Sequence, residues 1–140
     1  MSSVESNKQV VHRFVREVLQ QGNKQAVDEL IAADFTSHSW PSTGDGRADL
    51  KAAIDRVSKG LADSTFVIED TIAEGDRVVV RLTASATQVG EFMGMPASGK
   101  RYEIGEIHIF RLRDGQLVEH WDQLDAMGMM RQLGGMAAPG

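Results

Sequence analysis

The apolar residues of this chain change their spacing near Gly60, and this change constrains the fold more than any other feature. Before Gly60 they recur every three or four positions, which is the repeat of an amphipathic helix. After it they alternate with polar residues, which is the repeat of a strand with one buried face. We therefore predict an α+β chain with three N-terminal helices followed by long antiparallel strands. Such a curved sheet forms a cone with helices over it, and the enclosed cavity is a natural small-molecule site.

Three segments carry the helical repeat. The first helix is predicted from Ser3 to Gln21, and Gly22 suits its C-terminal cap. Asn23 is predicted to cap a short second helix. The third helix is predicted to end near Gly60. The apolar positions are, in order, Val11, Phe14, Val15, Val18 and Leu19; Ala26, Val27, Leu30 and Ile31; and Leu50, Ile54, Val57 and Leu61.

The second half of the chain predicts hairpins. Glu74-Gly75-Asp76 has turn composition between two alternating runs. A loop at residues 90–99 interrupts the pattern, which resumes from Lys100 to Arg113. It turns at Asp114-Gly115 and continues to about Asp125. The strand after the first turn is predicted to bury one face, made of Val78, Val80, Leu82, Ala84 and Ala86.

The composition narrows the class of protein. A length of 140 residues predicts one domain, at residues 1–134, and a disordered glycine-containing tail at 135–140. The net charge of −5 argues against nucleic acid and anionic membrane as partners. The absence of cysteine excludes disulfides, thiolate nucleophiles and Cys-ligated metals. No apolar run has the length of a signal peptide core or a membrane span, so the expected compartment is the cytoplasm.

A histidine and an aspartate on consecutive strands form the candidate site if they share a face of the sheet. A two-residue turn at Asp114-Gly115 places His108 opposite Trp121, with Asp122 on the other face. A three-residue loop with Gly115 in a bulge shifts the register by one residue and makes His108 and Asp122 neighbours. The residues alone leave both registers open.

The bulged register gives the more coherent site, because an apolar wall then surrounds the two polar groups. Its members are Tyr102, Ile104, Phe110 and Leu112. The chemistry that suits such a wall is proton transfer at carbon. Burial raises the pKa of a carboxyl group and makes Asp122 a stronger base. An imidazole N–H from His108 can donate to a carbonyl oxygen as enolate charge develops on it.

Three stretches of the chain resemble the SnoaL-like polyketide cyclases. Residues 92–100, FMGMPASGK, resemble the family's G-x-P-x-(T/S)-G-K hairpin. Residues 113–121, RDGQLVEHW, resemble its penultimate turn and last strand, and residues 125–134, DAMGMMRQLG, are similar to its closing D-x-x-G-x-x-R-Q-L-G segment. Together with the helical first half, the resemblance covers nearly the whole chain.

The resemblance implies the nuclear-transport-factor-2-like fold and an intramolecular aldol condensation that closes a ring of an aromatic polyketide without metal or cofactor. In this pattern Asp122 matches the acid–base aspartate of the last strand, and His108 matches the histidine fourteen positions earlier. It therefore also implies the bulged register. We expect a hydrophobic, polycyclic substrate. Because open sheets of this kind usually associate through their outer face, we also expect a homodimer, with a tetramer as the alternative.

The chain departs from the family at two positions. The cyclases carry an asparagine where this chain has Ser37-His38, and a glutamine where it has Glu106. A carboxylate in place of an amide is expected to change the polarity of the substrate or the pKa of Asp122. The residues predicted to contact substrate are Glu106, His38, Trp40, Tyr102, Phe92, Met95, His120 and Met127.

Other functions fit the same residues. A carboxylate at Glu106 could activate water, which favours hydroxylation, epoxide opening or isomerisation as alternatives. A non-catalytic binding module is a further alternative, because a fold does not fix a function. His108, His120 and Asp122 would make a set of two histidines and one carboxylate. Since the first histidine lies on a different strand and the family pattern implies no metal, we expect none.

Overall fold

The computed structural model describes residues 3–135, which form four helices and five strands. The helices are α1 (Val4–Arg13), α2 (Lys24–Leu30), α3 (Gly46–Gly60) and α4 (Ala126–Leu133), and α1 continues as a π-helical segment, Phe14–Gln20. The strands are β1 (Ile31–Ser37), β2 (Leu61–Glu74), β3 (Arg77–Gln88), β4 (Arg101–Arg113) and β5 (Gln116–Leu124). The predicted α+β class is confirmed. Residues 136–140 of the predicted tail lie outside the described residues.

Local signals in the sequence explain where the helices begin and end. Asn23 caps α2, because its Oδ1 accepts the backbone N–H groups of Gln25 and Ala26 at 3.0 and 3.2 Å. Gly22 adopts a positive φ of 64° after the first helix, as a C-terminal glycine does. The predicted first helix has the expected extent, but its second half is π-helical, which nothing in its apolar spacing indicates.

The sheet has the order β1-β5-β4-β3-β2 and does not close into a barrel. Strands β2 to β5 pair antiparallel, as predicted. Strand β1 pairs parallel to β5, with Ser37 opposite His120, so the sheet is mixed and the expectation of a purely antiparallel sheet is corrected. The predicted short extended segment at Asp34-Phe35 is part of this strand. Its pairing covers an edge of β5 that would otherwise expose unpaired backbone groups.

The helices cover the inner face of the sheet. The predicted buried face of β3 is confirmed, since each of its five apolar side chains is at most 1% exposed. Phe110 of β4 is fully buried and meets Phe14 edge to face, with ring centroids 5.2 Å apart. Burying one side chain of this size contributes about 2 to 3 kcal/mol. The inner face is therefore anchored under the first helix, and the space for a ligand lies farther along the strands.

The β4–β5 hairpin turns in two residues. Asp114 and Gly115 have φ angles of 51° and 78°, and Arg113 pairs with Gln116. Two positive φ angles define a type I′ turn, whose twist matches that of the strands it joins. The three-residue loop with Gly115 in a bulge, the alternative to this turn, does not form.

The register nevertheless shifts farther along this hairpin. Leu112 pairs with Leu117 and Arg111 with Glu119, so Val118 is an extra residue in β5. Because a bulge of one residue exchanges the faces of everything beyond it, His108 now lies opposite Asp122. The prediction that His108 and Asp122 share a face is confirmed, while the predicted position of the bulge at Gly115 is wrong.

In the described part of the chain, no helix combines the length and the apolar composition that crossing a bilayer requires. The cytoplasmic location stays a prediction.

Candidate functional site

A cavity of about 810 Å³ opens beside the C-terminal half of β5. Asp122 and Leu124 line it from the sheet, Val57 from α3, Trp40 from the segment after β1, and Phe92 from the loop after β3. Its size is within the range of small-molecule sites.

The loop after β3 is shaped by a buried glutamine. Gln88 is fully buried, its Nε2 donates to the carbonyl of Met95 at 3.0 Å, and its Oε1 accepts from the Ser98 hydroxyl at 2.7 Å. The backbone N–H groups of Val89 and Gly90 both donate to the carbonyl of Gly60 at the end of α3. These bonds hold the loop against the helix and so form one wall of the cavity.

The carboxylate of Asp122 faces this cavity almost bare. Its side chain is 16% exposed, and its oxygens accept no hydrogen bond from any residue within 3–135. The nearest titratable partner is His108, with 3.8 Å between Oδ2 and Nδ1. The backbone of Asp122, unlike its carboxylate, has a hydrogen-bond partner, because its N–H donates to the Ser39 hydroxyl at 2.6 Å. A carboxylate with no bound donor has its lone pairs available for a proton from a ligand.

His108 is buried behind Asp122 and has a protein partner at each ring nitrogen. Nε2 lies 2.8 Å from Oε1 of Glu106, and Nδ1 lies 2.9 Å from Nε2 of His120. Its ring is stacked parallel to Phe110 at 6.1 Å. His108 and the buried Glu106 do not line the larger cavity, so of the predicted acid–base pair only Asp122 meets a ligand there.

His120 continues this chain of side chains. It is 1% exposed, its Nδ1 lies 2.9 Å from the hydroxyl of Ser37, and Trp40 packs over its ring at 5.0 Å. Burial, with the nearby His108, lowers the pKa of His120 to about 3. His120 is therefore neutral at neutral pH.

The predicted set of two histidines and one carboxylate does come together. The ligand atoms of His108, His120 and Asp122 lie within 4.8 Å of one another. However, the facing nitrogens of the two histidines point at each other in a hydrogen bond of 2.9 Å. Ligands of one ion direct their lone pairs at a common point, so this arrangement suits a shared proton better than a shared metal. The metal-free site stays a prediction.

The two substrate contacts predicted in the segment after β1 lie on opposite faces of the sheet. Trp40 lines the cavity, while His38 lies on the other face of the sheet. His38 stacks on Trp121 at 5.0 Å, and its Nε2 lies 2.7 Å from the carboxylate of Glu119. Side chains alternate along a strand, so Ser37 at the end of β1 points inward and His38 points outward.

Three other predicted contacts do not line the larger cavity. Tyr102 and Met95 are buried in a second apolar cluster with Met129 and Leu133, and Met127 is 57% exposed. Burial, with a smaller effect of the Glu106 carboxylate, raises the pKa of Tyr102 to about 12.

Several residues of this cavity were not predicted from the sequence. Arg56 and Lys59 of α3, Ser39 and Glu91 line it, and so does Met93. The two cations lie on α3 close to Val57, at positions that the helical pattern alone assigns to solvent. Arg56 follows the lining residue Ala53 by three positions and Lys59 follows Arg56 by three, so all three lie along one face of α3. That this face borders a cavity becomes visible only once the loop opposite α3 is placed.

A smaller cavity of about 460 Å³ lies on another side of α3. Val18, Leu50, Ile54, Leu61 and Phe66 give it a largely apolar wall, and it contains neither member of the acid–base pair. Of the two cavities, only the larger one is lined by Asp122.

Comparison with known proteins agrees with this architecture. DnrD of Streptomyces peucetius, an aklanonic acid methyl ester cyclase, is 40% identical over 128 residues, covering 86% of this chain and 88% of that protein. The structure of TsrD from Streptomyces laurentii superposes with a TM-score of 0.89 at 32% identity, covering 97% of this chain and all of that chain. AclR from Streptomyces galilaeus, a proposed hydroxylase, superposes with a TM-score of 0.84 at 26% identity, covering 99% and 87%.

The family model of the SnoaL-like polyketide cyclases matches residues 9–133, which is most of the chain. This match and the close relationship to DnrD confirm the family that the three sequence stretches indicated. The chain belongs to the SnoaL-like polyketide cyclase family.

Proposed function

We propose that this chain closes a ring in a polyketide by intramolecular aldol addition, with Asp122 as the base and without a cofactor. The observation that carries the proposal is the bare carboxylate of Asp122, which faces a cavity of about 810 Å³ with largely apolar walls. The cyclase activity named for DnrD supports the same reaction class.

The proposed reaction conserves all atoms of the substrate. Asp122 removes a proton from a carbon activated by neighbouring carbonyls, so a C–H bond breaks and an O–H bond forms on the carboxylate. The resulting enolate attacks a second carbonyl carbon of the same molecule and forms the new C–C bond. The alkoxide produced there takes the proton back from the acid form of Asp122. The cavity holds the two reacting carbons together, which can supply much of the rate.

In this proposal His108 acts through Asp122. The sequence predicted that His108 itself donates to the carbonyl, but both of its nitrogens already have protein partners. We therefore assign His108 the role of a positioning residue, whose charge tunes the neighbouring carboxylate. An imidazolium 3.8 Å from Asp122 favours the carboxylate, while a neutral ring leaves it more basic.

The lining suggests a flat, apolar substrate that carries oxygen substituents. Trp40 and Phe92 offer aromatic surface, and Met93 offers an adaptable apolar one. Arg56 and Lys59 also line the cavity and can donate hydrogen bonds to oxygen substituents of the ligand. Aklanonic acid methyl ester, the compound in the name of the DnrD cyclase, is the compound to assay first.

Mass spectrometry of that assay in ¹⁸O-labelled water tests the proposal. We expect a product with the mass of the substrate and no label beyond that of an enzyme-free control, which corrects for carbonyl exchange. Label above the control would contradict aldol closure and favour the addition of water. Binding without any turnover would favour a non-catalytic binding module.

The alternative of water activation has one observation in its favour, the structural likeness to AclR. Against it, Glu106 is buried and its carboxylate is bonded to His108. The Glu106 carboxylate therefore has a protein partner and does not face the cavity in which it would have to activate a water.

We also propose that the outer face of the sheet pairs with a second copy of the chain. Ile72, Val79, Ile109 and Trp121 are consecutive partners across four strands and form an apolar row on that face. Ile72 is 66% exposed, and Ile107 beside the row is 47% exposed. An exposed apolar patch of this kind commonly marks an interaction surface.

A further inference from the structure

Four buried side chains form a continuous line of hydrogen bonds that the proposed reaction does not use in full. Glu106, His108, His120 and Ser37 are each at most 9% exposed. They are joined by contacts of 2.8, 2.9 and 2.9 Å. Ring nitrogens of His108 and His120 lie near the Asp122 carboxylate, within 4.8 Å, but the proposed reaction gives no role to the bonds that continue to Glu106 and Ser37.

The direction of each bond follows from the carboxylate end when His108 is neutral. An ionised Glu106 can only accept, so the proton of His108 is on Nε2 and its Nδ1 is an acceptor. His120 must then donate from Nε2, which leaves its Nδ1 as an acceptor for the hydroxyl of Ser37. The Ser37 oxygen in turn accepts the backbone N–H of Ser39 at 3.1 Å, so every atom has a partner.

The ring nitrogens of this line also all have partners when His108 is an imidazolium, provided that the proton of His120 moves. His108 then donates from both nitrogens, and Nε2 of His120 becomes the acceptor. His120 itself stays neutral, because its burial disfavours a second proton. Its single proton must therefore be on Nδ1 and donate to Ser37. The Ser37 oxygen has two acceptor sites, which then take the Nδ1–H of His120 and the N–H of Ser39, while its own O–H no longer has His120 as an acceptor.

We propose that Ser37 and His120 are positioning residues that form a two-state relay, in which the tautomer of His120 follows the charge of His108. The two states differ by one proton on His108, supplied by solvent, and by the nitrogen that holds the proton on His120. Every ring nitrogen of the line keeps a partner in both states. His108 can therefore change its charge beside Asp122 without leaving a buried ring nitrogen unpaired. This inference rests on the proposed acid–base role of Asp122.

Few titratable groups other than the relay residues lie close enough to His108 to affect its charge. The titratable groups next to it are Glu106 on its own strand, and His120 and Asp122 on β5. The facing residue on β3 is Val80, which is apolar. Within the relay, a change in the charge of His108 is therefore followed chiefly by a change in the tautomer of His120.

Nitrogen-15 NMR of the imidazole rings in the free, full-length protein tests the relay, because nitrogen shifts distinguish the two tautomers and the imidazolium. The chain has four histidines, which single replacements assign. When the nitrogen shifts show that His108 has gained its second proton, we expect the proton of His120 to have moved from Nε2 to Nδ1. A His120 tautomer that stays constant while His108 titrates, or a His120 that becomes doubly protonated, would overturn the proposal.

Variants at Ser37 separate the relay from simple packing. Ser37→Ala removes the acceptor for Nδ1–H, so we expect the proton of His120 to stay on Nε2 across the titration, whereas Ser37→Thr should restore its movement. Ser85→Ala is the matched control, because Ser85 is also buried and hydrogen-bonded but lies outside the relay. Movement of the proton in Ser37→Ala as in the native protein would overturn the proposal. None of these readouts needs a substrate, so a failure of the relay is distinguishable from a failure of the proposed cyclase reaction.

Discussion

Asp122 and His120 are both largely buried, but the fold leaves them in opposite conditions. The Asp122 carboxylate faces the cavity without a bonded donor, while each nitrogen of His120 has a protein partner. The first arrangement keeps a proton site open to a ligand. The second fixes a neutral ring inside the protein, which has a measurable effect on stability.

The depressed pKa of His120 predicts a loss of stability in mild acid. The unfolded chain binds a proton at His120 near the ordinary pKa of 6.5, whereas the folded protein does so only at about 3. The unfolded state therefore holds more protons between these values, and stability falls as the pH falls. We expect this group to lower the free energy of unfolding by about 2 kcal/mol from pH 7 to pH 5.

Urea unfolding at the two pH values measures this effect. His120→Gln, which keeps a donor and an acceptor but does not titrate, should reduce the pH dependence by that amount. His12→Gln, a change at a histidine bonded to Thr71 outside the site, is the control. Equal pH dependence in His120→Gln and the native protein would contradict the neutral state of His120.

Tyr102 gives a prediction at the alkaline end. It is the only tyrosine in the chain, so its phenolate absorbance reports one residue. We expect a titration midpoint of about 12 in the folded protein, against 10.0 for a free side chain. Because the folded state holds the proton more tightly, its contribution to stability is complete below about pH 10 and is lost as the pH rises towards 12. A midpoint near 10 in folded protein would show that Tyr102 is solvated.

Among single residues, the shared face of His108 and Asp122 could be predicted from the sequence but the surroundings of the two side chains could not. His108 and Asp122 stand in the family pattern, and the bulge makes them neighbours. The sequence identified Ser37-His38 as a departure from the family but assigned the contact to His38 rather than to Ser37. Which of the two points inward depends on how β1 pairs with β5, and that pairing joins residues more than eighty positions apart.

At the scale of elements, local preference determines the turn of the β4–β5 hairpin, while tertiary packing determines where its extra residue lies. Asp114-Gly115 selects a type I′ turn by local preference. The extra residue is accommodated at Val118 instead, where Leu117 and Val118 are both buried. The sequence could predict that one of two registers forms, but not that a two-residue turn and a bulge would occur together.

Two glycines of this hairpin should respond oppositely to alanine. Gly115 has a φ of 78°, so Gly115→Ala should destabilise the protein by about 1 kcal/mol. Gly105 lies in β4 with open space around its Cα, so Gly105→Ala should stabilise it by about 0.5 kcal/mol through the unfolded state. Urea unfolding compares the two variants. A larger loss for Gly105→Ala than for Gly115→Ala would contradict the turn assigned to this hairpin.

At the scale of the whole molecule, the order of helices and antiparallel strands follows from the change in apolar spacing near Gly60. The parallel strand β1 does not, because its segment is short and lacks a clear alternation. The closing segment 125–134 was recognised by its motif, but its helix α4 was not predicted. Asp125 caps this helix by accepting the N–H of Gly128 at 2.8 Å. Long-range pairing thus accounts for most of what the sequence did not indicate.

The outer face of the sheet carries a prediction about assembly. If the apolar row mediates pairing, Ile107→Glu places a charge at the interface and should convert a dimer into a monomer. Val89→Glu, at a residue that is 53% exposed in the loop after β3, should leave the dimer intact. Light scattering after size exclusion gives both masses. A native monomer, or a dimer unaffected by Ile107→Glu, would contradict the proposed surface.

The rate of ring closure by Asp122→Asn tests the central claim most directly. The variant keeps the size and shape of the side chain but cannot take a proton from carbon. With aklanonic acid methyl ester as substrate, we predict that kcat falls by about a hundredfold to ten-thousandfold. Asp70→Asn, at a surface ion pair with Arg81, should retain the native rate. An Asp122→Asn protein that closes the ring as fast as the native enzyme would contradict the assignment of Asp122 as the base.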